Sequence, residues 1–132
     1  MPNREYIPGS PHEWLARARG NLALAKNPMP AGGFWEDLCF NTQQTAEKAI
    51  KAVMLHKGIS FRYTHDLEEL LATFAQSTGQ VPEDIKDAIG LTEYAVETRY
   101  PGGREPVSEE EYHEAVQTAE RVLLWAESII GS

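Results

Sequence analysis

The residues with the most chemistry to offer stand in two places. Between Asn41 and Lys51 the chain reads NTQQTAEKAIK, which sets Gln43, Gln44, Glu47, Lys48 and Lys51 on one stretch of helix. Two ammonium groups, a carboxylate and two amides are the polar groups these five residues offer. Gln44 and Lys48 are four apart, as are Glu47 and Lys51, so each pair can interact along an ordinary solvent-facing helix. The second place is Arg99. The positions Ile85, Ala88, Ile89, Thr92 and Val96 repeat at three and four, and the same phase continued reaches Arg99, just before the helix-breaking Tyr100-Pro101-Gly102-Gly103. A guanidinium on a core-facing side must be paired or must line a wet cleft. Its fork of donors fits phosphate or carboxylate, and its plainer use is to bond the last carbonyls of its own helix.

Other chemistries find little support. The four histidines, His12, His56, His65 and His113, include no two placed three or four apart, so no metal site is expected. Neither Gly32-Gly33 nor Gly102-Gly103 sits in a strand–glycine–lysine context, which removes a phosphate loop. No serine has the surroundings of a nucleophile elbow. No catalytic residue and no cofactor follow from the spacing.

The elements that must position these residues are helices. Residues 34–57 give the longest pattern, with Leu38, Cys39, Ala46, Ala49, Ile50, Val53 and Met54 on one broad arc and Asn41, Gln44, Glu47, Lys48 and Lys51 opposite. Thr42 and Gln43 fall inside the apolar arc, and a buried amide must be hydrogen-bonded. That breadth, with two inward polar groups, points to a homodimer whose interface uses this helix. Ser10-Pro11-His12-Glu13 starts the first helix as a capping box, and Asn27 to Gly33 stops it with two prolines and two glycines. Thr64 is the expected cap of a short third helix carrying Leu67, Leu70, Leu71 and Phe74, and Gly79 ends it. A long fourth helix opens at Pro82. Ser108-Glu109-Glu110-Glu111 caps the fifth, whose stripe runs from Tyr112 to Ile130. No segment alternates with period two. The fold class expected is all-α: an up-and-down bundle of four long helices plus one short helix, a single domain over 10–132 after a flexible lead-in over 1–9.

Length and charge narrow the function. A chain of 132 residues can bury one core without staples. One cysteine, Cys39, excludes an intrachain disulfide and fits a reducing compartment. The N-terminal MPNREYIPGS lacks an apolar signal core, and no run approaches a membrane span, so a cytoplasmic protein is expected. The net charge of −8 is uneven: residues 1–65 hold 8 Lys/Arg against 5 Asp/Glu, and residues 66–132 hold 4 against 15. The chain as a whole is therefore unlike a non-specific nucleic-acid binder, while the first two helices keep a local basic surface.

The segments CFNTQQTAEKAIKAVMLHKG, THDLEELL and ETRYPGG, in that order, resemble the HEPN domain family over nearly the whole chain, from about Trp14 to about Ile130. The resemblance implies a prokaryotic helical bundle, commonly a homodimer, associated with nucleotide or RNA binding. It also implies a minimal nucleotidyltransferase as partner, in a two-gene module like a toxin–antitoxin pair. The ribonuclease branch of that family follows its arginine with a histidine near the start of the last long helix. Arg99 matches the arginine, but the histidine positions hold Arg104, Glu105 and Pro106. The expectation is a non-catalytic binding module in which Arg99, Tyr100, Gln43, Gln44, Lys48 and Lys51 meet a nucleotide or a partner. The alternatives are a ribonuclease with another acid/base, for which His65 or Tyr100 are the nominees, and a purely structural dimer.

Overall fold

The structure is a computed structural model that describes residues 6–95 and 106–131. Helix α1 spans Pro11–Ala25, α2 Trp35–His56, α3 Leu67–Thr78 and α4 Glu83–Lys86; α4 runs on as a 3-10 helix over Asp87–Ala95, and α5 spans Glu109–Ile130. Among the described residues there is no strand. The all-helical architecture read from the sequence is the one observed.

The caps explain most of the boundaries. Ser10 accepts from the Glu13 N–H at the start of α1, and Ser108 accepts from the Glu111 N–H at the start of α5. Asp66, not Thr64, caps α3 by accepting from the Glu68 and Glu69 N–H groups. Thr64 instead accepts from the Asp66 N–H and so holds the cap itself. Gly79 ends α3 at φ 99°, a left-handed conformation that favours glycine.

Helix α2 is the centre of the molecule and packs against α1, α5, α3 and the 3-10 segment. Side-chain partners fix the directions. Trp14 lies over Lys51 while Asn21 meets Asn41, so α1 and α2 run antiparallel. Arg19 pairs with Glu127 and Lys26 with Glu120, so α1 and α5 are antiparallel as well. Helices α2 and α5 are consequently parallel, with Trp35 and Tyr112 in ring contact at their N-terminal ends, centroids 4.8 Å apart. Tyr112 also donates to the carbonyl of Ala25, which joins the end of α1 to the same corner.

The fourth element departs from expectation. It is α-helical for one turn only and then becomes 3-10. The buried line is Ile85, Ala88 and Leu91, with Tyr94 packed beyond it, a spacing of three rather than a mixture of three and four. Three residues per turn is the 3-10 period, which stacks such residues in a row. Gly90 lies in the middle, where it weakens any α-helical preference. Thr92 is fixed by accepting from the Leu67 N–H, one of the orphan donors at the start of α3. The phase that carried Arg99 to an inner face assumed a regular α-helix from Ile85 onward, and that assumption fails at Asp87. Arg99 and Tyr100 themselves lie outside the described residues.

Candidate functional site

The polar face of α2 is not a solvent face. Glu47 and Lys51 form the expected pair, with Lys51 Nζ donating to Glu47 Oε2 at 2.7 Å, but their side chains are only 4% and 3% exposed. Glu47 is the hub of a closed network. Gln43 Nε2 donates to Glu47 Oε1 at 3.0 Å and to the carbonyl of His65 at 3.1 Å. His65 Nδ1 stands 2.9 Å from Oε1 and 3.1 Å from Oε2. An ionised carboxylate only accepts, so Nδ1 carries the hydrogen. In the neutral ring this leaves Nε2 to accept from the Tyr63 hydroxyl, 3.2 Å away. Gln44 Nε2 donates to Gln43 Oε1 at 2.8 Å and closes the amide's remaining side.

This geometry sets the state of the carboxylate. Burial is the largest influence on Glu47 and raises its pKa, but the hydrogen bonds from Lys51, Gln43 and His65 together outweigh it and hold the value below the usual 4.5. Glu47 is therefore an anion at neutral pH. The Lys51 ammonium is further enclosed by Trp14, Phe61 and Tyr63, with ring centroids 5.7, 5.8 and 5.2 Å from Nζ. Rings at this distance attract a cation. Lys51 and Gln43, both buried, join α1, α2 and the connector before α3. Thr42 is equally self-contained, donating to the carbonyl of Cys39. The inward Thr42 and Gln43 accordingly need no second subunit to satisfy them.

Lys48 behaves differently. It turns toward α1, where Nζ donates to Asn21 Oδ1 at 2.8 Å, and Asn21 Nδ2 in turn donates to Asn41 Oδ1 at 3.0 Å. The expected contact between Gln44 and Lys48 does not form, because each has this other partner. Among the described residues no carboxylate pairs with Lys48. Burial, and next the like charge of Arg17, hold its pKa below the usual 10.5. An ammonium fixed by a neutral amide beside a second cation has room for an anion in its first shell. Lys48 opens into a groove of about 410 Å³ between α1 and α2, which Tyr6, Glu13, Arg17, Gly20, Asn21 and Leu24 also line, with Arg17 Nη2 paired to Glu13 Oε2 at 3.1 Å.

Of the six residues expected at the site, the structure brings Gln43, Gln44 and Lys51 together in the network, sets Lys48 apart in the groove, and leaves Arg99 and Tyr100 undescribed. The sequence reading missed Arg17 and Asn21. Their signal was present: Glu13, Arg17 and Asn21 recur every four residues and so share one face of α1. Among the described residues no group of three His, Cys, Asp or Glu is placed to hold a metal ion, and no helix is long and apolar enough to cross a membrane.

Comparison with known proteins places this architecture. Among curated proteins nothing matches the chain. Two solved structures are similar over most of its length. TT1696 from Thermus thermophilus shares 32% identity and superimposes with a TM-score of 0.72, covering 89% of this chain and 96% of its own. ST0689, described as an archaeal HEPN homologue, shares 28% identity at a TM-score of 0.73, covering 92% and 98%. A family model, HEPN domain, matches residues 11–129, from the first residue of α1 to the last turn of α5. With helix order, fold and sequence in agreement over that span, the chain belongs to the HEPN domain family.

Proposed function

We propose that this HEPN domain is a non-catalytic binding module for a phosphate-bearing ligand, a nucleotide or RNA. It acts as a homodimer beside a minimal nucleotidyltransferase, in a two-gene module of toxin–antitoxin type. The observation that carries the reading is Lys48. Of the two lysines on the signature face of α2, Lys51 is neutralised inside the fold, whereas Lys48 has a neutral partner, a cationic neighbour in Arg17 and an open groove in front of it. Arg99 and Tyr100 keep their proposed place as further contacts to ligand or partner, on the resemblance alone. The test is titration of the purified protein with nucleotides and with single-stranded RNA. Binding that weakens in Lys48→Ala supports the reading, and no binding of either ligand class refutes it. Sedimentation at tens of micromolar tests the dimer, which a monomer contradicts.

One observation favours a second reading. His65 is oriented by a buried carboxylate through Nδ1, is half-exposed, and reaches a hydroxyl through Nε2. A carboxylate-oriented imidazole is the arrangement of a general base, which a ribonuclease without the usual family histidine requires. Metal-free RNA cleavage that His65→Ala abolishes supports this second reading; absence of cleavage leaves the binding module.

A further inference from the structure

Three rings lie over the buried Lys51 ammonium: Trp14, Phe61 and Tyr63. Covering a cation asks only for a π face, and Phe61 supplies one without a hydroxyl. The hydroxyl of Tyr63 therefore needs its own account. Tyr63 is 77% exposed, so water can satisfy it. It meets His65 Nε2 instead, 3.2 Å away, with the two rings edge to face.

That hydroxyl begins a chain of three groups. His65 carries its hydrogen on Nδ1, against the Glu47 carboxylate at 2.9 and 3.1 Å, which leaves Nε2 as the base. The residue is held at a second point, since its backbone carbonyl accepts from Gln43. Hydroxyl, imidazole and buried carboxylate, in that order, form the arrangement that activates a weak nucleophile. Lys51 assists. Its Nζ is 5.2 Å from the Tyr63 ring centroid, and a cation there attracts the negative charge that develops as the phenol loses its proton. Glu47, which offsets that cation in the resting protein, then faces the imidazolium.

Charge selects the electrophile. Lys51 is tied to Glu47, and the neighbouring Arg62 is tied to Glu69 at 2.6 and 2.8 Å. Asp66 and Glu68 follow, and residues 63–85 contain no lysine or arginine. The surroundings are therefore negative once the pairs cancel. A phosphoryl donor brings further negative charge and is repelled, whereas an uncharged acyl ester is not.

We propose that Tyr63 is a nucleophilic tyrosine, with His65 as its base, that accepts one acyl group from an uncharged activated ester. Tyr63 Oη attacks the ester carbonyl carbon, and its proton passes to His65 Nε2. The bond from that carbon to the leaving oxygen breaks, and the imidazolium returns the proton to the departing oxyanion. The product is a tyrosyl ester, and nothing is oxidised or reduced. Neither Tyr63 nor His65 lines the groove beside Lys48, so this site goes beyond the binding module and stands or falls separately.

The experiment treats the full chain with 4-nitrophenyl acetate at neutral pH and follows the acetylated residues by peptide mass mapping over time. Tyr6 is the internal control: it is 40% exposed, and its hydroxyl meets no imidazole among the described residues. Tyr63 should be acetylated about a hundredfold faster than Tyr6, far more than their roughly twofold difference in exposure accounts for. His65→Asn keeps an N–H for Glu47 but offers no base. It should slow Tyr63 by about a hundredfold and leave Tyr6 unchanged, with its melting temperature measured alongside. Tyr63→Phe keeps a ring over Lys51 and should lose this one acetyl group alone. Similar rates for Tyr63 and Tyr6 in the wild-type chain overturn the proposal, and that comparison needs no variant to fold. A folded His65→Asn protein whose Tyr63 reacts at the wild-type rate overturns it as well.

Discussion

His65 Nδ1 lies 2.9 Å from Glu47 Oε1, and through that contact the connector between α2 and α3 is fastened to the most buried helix of the fold. The backbone repeats the attachment, since the carbonyl of the same histidine accepts from Gln43. One residue thus bonds to two positions of α2 one turn apart. The buried pair of Glu47 and Lys51 is closed over by this connector, with Tyr63 over the ammonium and His65 against the carboxylate.

The first prediction concerns that pair. Glu47→Ala leaves the Lys51 ammonium buried without its counter-ion and should cost about 3–5 kcal/mol in urea denaturation. The double substitution Glu47→Leu with Lys51→Met removes both charges together and should recover most of the loss. Equal stability of Glu47→Ala and the wild-type chain would mean that the pair is solvated after all.

The second prediction is a pH dependence. The folded-state pKa of Glu47 is lowered from 4.5, so the unfolded chain binds its proton more readily than the folded one. The stability Glu47 contributes is then fully present above its unfolded value and is lost as the pH falls through the folded value. Melts between neutral pH and about pH 3 should show destabilisation setting in below about 4.5. Glu47→Gln should show a shallower acid limb, and an unchanged limb would remove Glu47 as its source.

The third prediction tests the anchoring of the 3-10 segment. Thr92→Val removes the acceptor for the Leu67 N–H without changing side-chain shape much. It should cost on the order of 1–3 kcal/mol and speed hydrogen exchange at the Leu67 amide. Unchanged protection at Leu67 would show that the threonine is incidental.

Much of the fold was legible because its signals are local. Ser10, Ser108 and Gly79 announce helix ends through their own side chains or lack of one, and the α2 and α5 stripes repeat often enough to fix a period. The fourth element was misjudged because Ile85, Ala88, Ile89 and Thr92 fit both three and 3.6 residues per turn over so short a span. Choosing between them needed Thr92's long-range bond to Leu67, which a sequence pattern does not contain. The site was half legible. Glu47 and Lys51 were recognised as a pair, but their burial depends on Trp14 from α1 and on Phe61, Tyr63 and His65 from the connector. Helical periodicity assigned that face to solvent because those covering groups come from other elements. Lys48 and Lys51 looked equivalent in the sequence; Asn21 distinguishes them, from the neighbouring helix.

That difference between two lysines carries the proposal: Lys51 is enclosed within the fold, and Lys48 is the residue proposed to meet the ligand. The most direct measurement pairs thermal melts with adenosine 5′-monophosphate titrations of Lys48→Ala and Lys51→Met. Lys48→Ala should melt within about 2 °C of the wild-type chain and lose about tenfold or more in affinity. Lys51→Met should melt several degrees lower, having left the Glu47 carboxylate buried without its cation. A Lys48→Ala protein that binds as tightly as the wild type, with its melting temperature unchanged, would contradict the account.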